Sequence, residues 1–273
     1  MVRFLTLLTM SCFALISTSA QSFALEPTLE RKYSSEANAI LDIYSALDPQ
    51  SSIVAFVHGG GWSSGSRKWV QDKPQFFNDL GYTFVSIGYP YLPEAKVDEQ
   101  IAAVEKAVAW LKINANSFGA SSDEIVLTGH SSGAHLAVVA ALKLGPSTVQ
   151  KVIAIDAPMY DLRPLLSMKR RGVTNFFERI FGRDESELST KSAHTFVSTH
   201  KDYAGYLFAY SNQNFDGWIV KNVERFVENL RISGASNVEI FEGWDYDHMA
   251  LHRNLGNDDD AFSKVITRFL VPK

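Results

Sequence analysis

Cysteine is nearly absent: of 273 residues only Cys12 is one, and it lies in the leading apolar stretch. Beyond that stretch there is no thiol, so neither a disulfide framework nor a cysteine nucleophile is available. An excess of one charge is missing too. The 26 Lys and Arg against 30 Asp and Glu leave a formal net charge of −4, and no basic run is interleaved with aromatics. No nucleic-acid partner is therefore expected, and Lys169-Arg170-Arg171 reads as a solvated face. After the first residues no apolar run is long enough to span a membrane. His, Asp and Glu show no clustering at metal-ligand spacing, so neither a metal nor an organic cofactor is expected. No internal repeat is visible.

The leading residues read as a processing segment. Arg3 supplies a positive charge, residues 4–16 form an apolar stretch too short for a comfortable span, and small residues follow. Cleavage after Ala20, with Thr18 two residues before it, and cleavage after Ala24, with Ser22 before it, fit equally well. Thr9-Met10-Ser11 lacks the leucine expected before a lipid-modified Cys12. The expectation is a signal peptide over residues 1–24, export to a periplasmic or extracellular space, and one domain over residues 25–273. That length suffices for one sizeable core.

Strand and helix patterns alternate along that domain. Residues 41–44 suit an early edge strand, and 53–57, 83–87, 125–128 and 152–155 are β-rich runs, several of them apolar on both faces. Further strands are expected at 206–210 and 238–241. Between them, Val97, Ile101, Val104, Val108 and Leu111 form one helical stripe. Residues 134–142 are apolar nearly all round and should form a buried helix. Helices at 217–230 and 260–270 complete the pattern. This alternation specifies a mostly parallel sheet with helices on both faces. Only residues 161–203 are charged and irregular, with an aromatic knot at Phe176-Phe177, and they read as a small lid insertion.

Two glycine-rich turns carry the chemistry. Gly129-His130-Ser131-Ser132-Gly133 follows one strand and opens the apolar helix. In that setting the flanking glycines permit a tight turn that leaves the Ser131 hydroxyl exposed above the sheet, a nucleophile elbow. His58-Gly59-Gly60-Gly61-Trp62 follows the strand at 53–57. Its uncovered backbone N–H groups can point at a developing negative charge, which is an oxyanion hole in outline.

The order H-G-G-G-W, then G-H-S-S-G-A-H, then Asp247-His248-Met249, resembles the α/β-hydrolase fold. More narrowly it looks like the esterase and lipase branch that includes carboxylesterases and bacterial kynurenine formamidases. The resemblance covers roughly residues 41–270 and takes in Tyr91-Leu92-Pro93-Glu94-Ala95 and Asp123. It implies Ser131 as nucleophile, His248 as general base, and the N–H groups of Gly60, Gly61 and Ser132 as oxyanion donors. His252 is the weaker alternative for the base. His58, His130 and His135 are expected to be structural, and Trp62, Tyr89 and Tyr91 to lie near the mouth of the site.

The third member of the triad departs from the family pattern. The family places an aspartate just after the strand at 206–210, where this chain reads Ser211-Asn212-Gln213-Asn214-Phe215-Asp216. Counting from the strand end points to Asn214, and counting back from the next helix points to Asp216. Asp216 is chosen because a carboxylate both orients the imidazole and stabilises its charged form; its other reading is a helix N-cap. Asp156, Asp245 and Asp247 are the other carboxylates that could serve. The resemblance implies a serine hydrolase cleaving carboxylic esters of small molecules, with arylformamide hydrolysis as a chemical neighbour. A hydrolase-fold binding protein without catalysis is the alternative from another class, and a peptidase of this fold is a third. Specificity and oligomeric state are not written in these motifs.

Overall fold

The computed structural model describes residues 25–167, 171–199, 203, 205–212 and 217–271. The expected signal peptide lies outside them. The chain begins with strands β1 (Leu29–Lys32), β2 (Ile40–Tyr44) and β3 (Ser52–Val57), helix α1 (Lys73–Asp79) and strand β4 (Tyr82–Ile87). Helix α2 (Val97–Asn114), strand β5 (Ile125–His130), helix α3 (Ser132–Leu144) and strand β6 (Lys151–Ile155) follow. Then come α4 (Arg171–Phe181), α5 (Glu185–Lys191), β7 (Gly205–Ser211), α6 (Trp218–Ile232), β8 (Val238–Gly243), α7 (His248–Arg253) and α8 (Ala261–Leu270).

All eight strands share one sheet in the order β1-β2-β4-β3-β5-β6-β7-β8. The pairs β1–β2 and β2–β4 are antiparallel and every other pair is parallel. Side-chain alternation splits the central strands between two cores. Ile53, Ala55 and Val57 of β3, with Ile125 and Leu127 of β5, pack beneath α2, α3 and α6. Val54, Phe56 and Val126 point the other way, into the core with Phe77 of α1, Leu251 of α7 and Phe262 of α8. Both faces are covered, which is why these strands read as continuous apolar runs.

The expected strands and long helices form, and α3 is buried from Ser132 to Leu142. Three short elements went unread. β1 is polar and mostly exposed, so it carries no alternation. α1 has only seven residues and a proline in its first turn, and α7 has six. The described part of the stretch expected to be irregular is largely helical instead, with α4, α5 and short 3₁₀ helices at Arg163–Ser167 and Ala193–Thr199. Its polar residues conceal the pattern, since Phe177 and Phe181 of α4 are one turn apart and both buried, while Asn175 and Arg179 are exposed.

Candidate active site

Parallel pairing sends β3, β5 and β6 to one edge of the sheet, and each leads into a non-glycine residue forced into the left-handed backbone region. These are Ser131 (φ 57°) and Asp156 (φ 53°), directly after β5 and β6, and Trp62 (φ 60°), five residues past β3 at the end of the glycine turn. Strain of this kind persists only where the surroundings over-determine it, and it concentrates at functional sites.

Sheet register explains how two of them meet. β5 and β6 pair with His130 opposite Ile155, so Ser131 and Asp156 are the next residues on neighbouring strands. The Ser131 N–H donates to the Ile155 carbonyl at 2.8 Å and the Asp156 N–H donates to the Ala209 carbonyl of β7 at 2.8 Å. The elbow itself requires glycine at position 133. A Cβ there would lie 2.2 Å from the Val57 carbonyl oxygen and 2.3 Å from that of His58, so any larger residue would push α3 off β3.

His248 opens α7 just beyond β8, and Asp247 caps that helix by accepting from the Ala250 N–H at 2.6 Å. The His248 Nδ1 donates to Asp156 Oδ2 at 2.7 Å. Asp156 is fully buried, and its other oxygen accepts from the Ser211 N–H at 3.0 Å. A buried carboxylate with both oxygens engaged fixes the imidazole plane and tautomer, leaving Nε2 as the free nitrogen. Ser131 and His248 together line two adjoining cavities.

Asp216 and Asn214 lie outside the described residues. Among the described ones, the carboxylate on His248 is that of Asp156. The register of β5 against β6 was the signal that could have placed it. Asp247 acts as a helix cap.

The glycine turn is held from behind. The Gly60 carbonyl accepts from the N–H of Ser63 at 3.3 Å and of Ser64 at 3.1 Å, and from the Ser64 hydroxyl at 2.9 Å. Because a trans peptide sets its N–H opposite its carbonyl, the Gly61 N–H is turned away from those donors. Among the described residues no acceptor takes the N–H groups of Gly60, Gly61 or Ser132. The Ser132 N–H also lies at the positive end of α3.

The remaining histidines brace this arrangement. His58 Nδ1 donates to the Gly59 carbonyl at 2.8 Å and its ring stacks on Tyr89 at 4.5 Å, while the Tyr89 hydroxyl donates to the His58 carbonyl at 2.8 Å. His130 Nε2 donates to the His248 carbonyl at 2.9 Å. His135 accepts from Trp62 Nε1 at 3.3 Å and donates through Nε2 to the Lys191 carbonyl at 2.8 Å, which ties the glycine turn to α5. Burial pushes His58 and His135 down to about 4 and His252 to about 3, with the Lys73 charge adding to the shift at His252. These rings are neutral at pH 7.

The first cavity, of about 220 Å³, lies over His58, the three glycines, His130 and His252, with Trp69 and Met249 at its rim. The second, of about 160 Å³, is walled by Trp62, Pro158, Phe176, Phe177 and Ile219. Among the described residues no group of His, Cys, Asp and Glu could hold a metal ion. No helix there is long and apolar enough to cross a membrane.

Sheet order, elbow and paired Asp and His give the chain the α/β-hydrolase fold. The BD-FAE family model matches residues 41–169, from β2 past β6. Esterase LipQ of Mycobacterium tuberculosis is 33% identical over 116 residues, 41% of this chain and 28% of that protein. Kynurenine formamidase of Danio rerio is 28% identical over 140 residues, 46% of this chain and 44% of that one. The chain thus spans less than half the length of either relative. A thermophilic esterase of Thermogutta terrifontis, solved with butyrate bound, superposes with a TM-score of 0.68 at 21% identity, covering 90% of this chain and 96% of the other.

Proposed function

We propose that this protein is a serine hydrolase that cleaves carboxylic esters of small molecules through an acyl-enzyme. The observation that carries this reading is the 2.7 Å bond from His248 Nδ1 to buried Asp156, with the strained Ser131 elbow on the same cavities. Ser131 Oγ attacks the ester carbonyl carbon while His248 Nε2 takes its proton. The resulting oxyanion is held by the N–H groups of Gly61 and Ser132, with Gly60 beside them. Collapse breaks the carbon–oxygen bond to the alcohol, and His248 returns the proton to that leaving oxygen. Water, deprotonated by His248, then attacks the acyl-Ser131 carbonyl, releasing the acid and restoring Ser131. Asp156 stabilises the imidazolium and keeps its tautomer, the role first given to Asp216. No step calls for a metal or an organic cofactor.

The apolar cavity beneath Phe176 and Phe177 suits the acyl group, and the imidazole-lined cavity suits the alcohol. Helices α4 and α5 then serve as the lid-like wall. Arylformamide hydrolysis on the same groups is the second reading, favoured by the likeness to a kynurenine formamidase. Export is also proposed, on the leading segment, and N-terminal mass mapping of secreted material would show a start after Ala20 or Ala24.

The test is hydrolysis of short-chain p-nitrophenyl esters and of N-formylkynurenine by wild type, Ser131→Ala, Asp156→Asn and Asp216→Asn. Ser131→Ala should lower kcat by about 10⁶-fold. Asp156→Asn should lower it by about 10³- to 10⁴-fold and Asp216→Asn by much less. The reverse order at the two aspartates would return the acid role to Asp216. A wild type as inert as Ser131→Ala on both substrates would favour a binding protein.

A further inference from the structure

A helix of six residues has little stability of its own, so whatever grips α7 decides where His248 stands. Among the described residues two side chains from other elements grip its backbone. His130 holds the first carbonyl, that of His248. The other is Lys73, the first residue of α1, whose Nζ donates to the His252 carbonyl at 2.6 Å in the last turn of α7.

Lys73 is completely buried. Its other donors go to the Val70 carbonyl at 3.3 Å and Gln71 Oε1 at 3.2 Å, so all three contacts are neutral oxygens. Gln71 is itself held in the left-handed region at φ 46°, so backbone strain is spent on aiming its amide at the ammonium. The ammonium also sits 5.6 Å from the Phe56 ring. From Phe56 the rings of His252, His130 and His248 follow in sequence, at centroid separations of 5.8, 4.8 and 4.6 Å. Lys73 is the foot of a column of rings whose top is His248.

We propose that Lys73 is a positioning residue for His248: clamped on the His252 carbonyl, its ammonium holds α7 where the His248 imidazole meets both Asp156 and Ser131. This rests on the serine-hydrolase reading above. Apolar packing alone would be better served by a methionine, because a buried ammonium is costly. Burial drives the Lys73 ammonium down to about 7, with the field of Asp72 opposing the shift. What a methionine lacks is three directed donors, one of them at the negative end of α7.

The experiment compares wild type, Lys73→Met and Lys73→Gln in two assays: turnover of p-nitrophenyl butyrate, and the rate at which a fluorophosphonate labels Ser131. Both variants are first checked by far-UV circular dichroism. Lys73→Met is expected to keep its fold and its KM within about twofold, while kcat and the labelling rate fall together by about 10- to 100-fold, the scale of a misplaced catalytic group. Lys73→Gln, which retains a donor for the His252 carbonyl, should recover part of both rates.

Equal labelling of wild type and Lys73→Met overturns the inference, as does a rise in KM with kcat unchanged. If both variants lose the fold, Lys73 is a structural residue and the assignment is wrong. A wild type that neither turns over ester nor takes the label removes the serine-hydrolase reading itself, and the inference with it.

Discussion

Beneath α2, α3 and α6 the sheet meets an apolar core in which α3 is enclosed on every side. Beneath α1, α7 and α8 the core is rich in aromatic rings, and Lys73 and His252 are buried beside Phe56. Ser131 stands on the first face and His248 on the second. The contrast follows from what each residue must do on the proposed mechanism. A strained turn stays put only against dense, incompressible packing. A group that takes and returns a proton needs polar neighbours that fix its tautomer and direction. The sheet lets one chain supply both supports a few ångströms apart.

The largest effect expected from breaking this arrangement is at Gly133. A methyl group there meets the carbonyls of Val57 and His58, so Gly133→Ala should yield no stable fold or lose more than about 10³-fold in activity. A folded, fully active Gly133→Ala would mean that the elbow does not depend on close backbone approach. Next comes Leu136→Ala in α3, expected to cost about 2–5 kcal/mol in denaturant unfolding while leaving kcat within a few-fold. Loss of turnover in the folded variant would show that the apolar face tunes chemistry as well as holding it.

The polar face should betray itself with acid. His252 is held near 3 when folded against an ordinary 6.5, so the unfolded chain binds the proton first. Its contribution is therefore complete above about pH 6.5 and is lost as pH falls from there towards 3, by up to about 1.4 kcal/mol per pH unit. Unfolding midpoints of His252→Phe at pH 7 and pH 5 should differ less than those of wild type. An unchanged slope would place the acid sensitivity elsewhere. The smallest effect expected is at Phe176, half-exposed on α4 and packed edge-to-face on Phe177 at 5.2 Å. Phe176→Ala should move stability by less than about 0.5 kcal/mol and shift acyl-chain preference by roughly 3- to 10-fold. An unchanged profile over two-carbon to eight-carbon esters would remove α4 from the acyl wall.

Much of this was legible in the sequence where the signal is short-range. The elbow and the glycine turn are contiguous strings, and the central strands announce burial on both faces. His248 is marked in the sequence by its place after the last strand. Asp156 was harder because nothing around Ala154-Ile155-Asp156-Ala157 marks it as more than a strand end. Its role appears only when β6 lies between β5 and β7, with Ser131 and Ser211 beside it. Lys73 is likewise an ordinary residue of a short, proline-bearing helix until folding carries α7 over it. Helix α4 was hidden by its own polar residues, because Asn175, Phe176 and Arg179 are exposed while Phe177 and Phe181 pack on Trp62.

The site draws on four strand ends spread along the chain, at Gly60, Ser131, Asp156 and His248. On the proposed mechanism this sets a clock on biosynthesis. A growing polypeptide carries its serine early but has no proton acceptor for it until β8 and α7 have emerged and docked beside β7. On that mechanism a newly made chain is chemically silent until β8 and α7 arrive, so its serine waits through more than a hundred residues of synthesis before it can act.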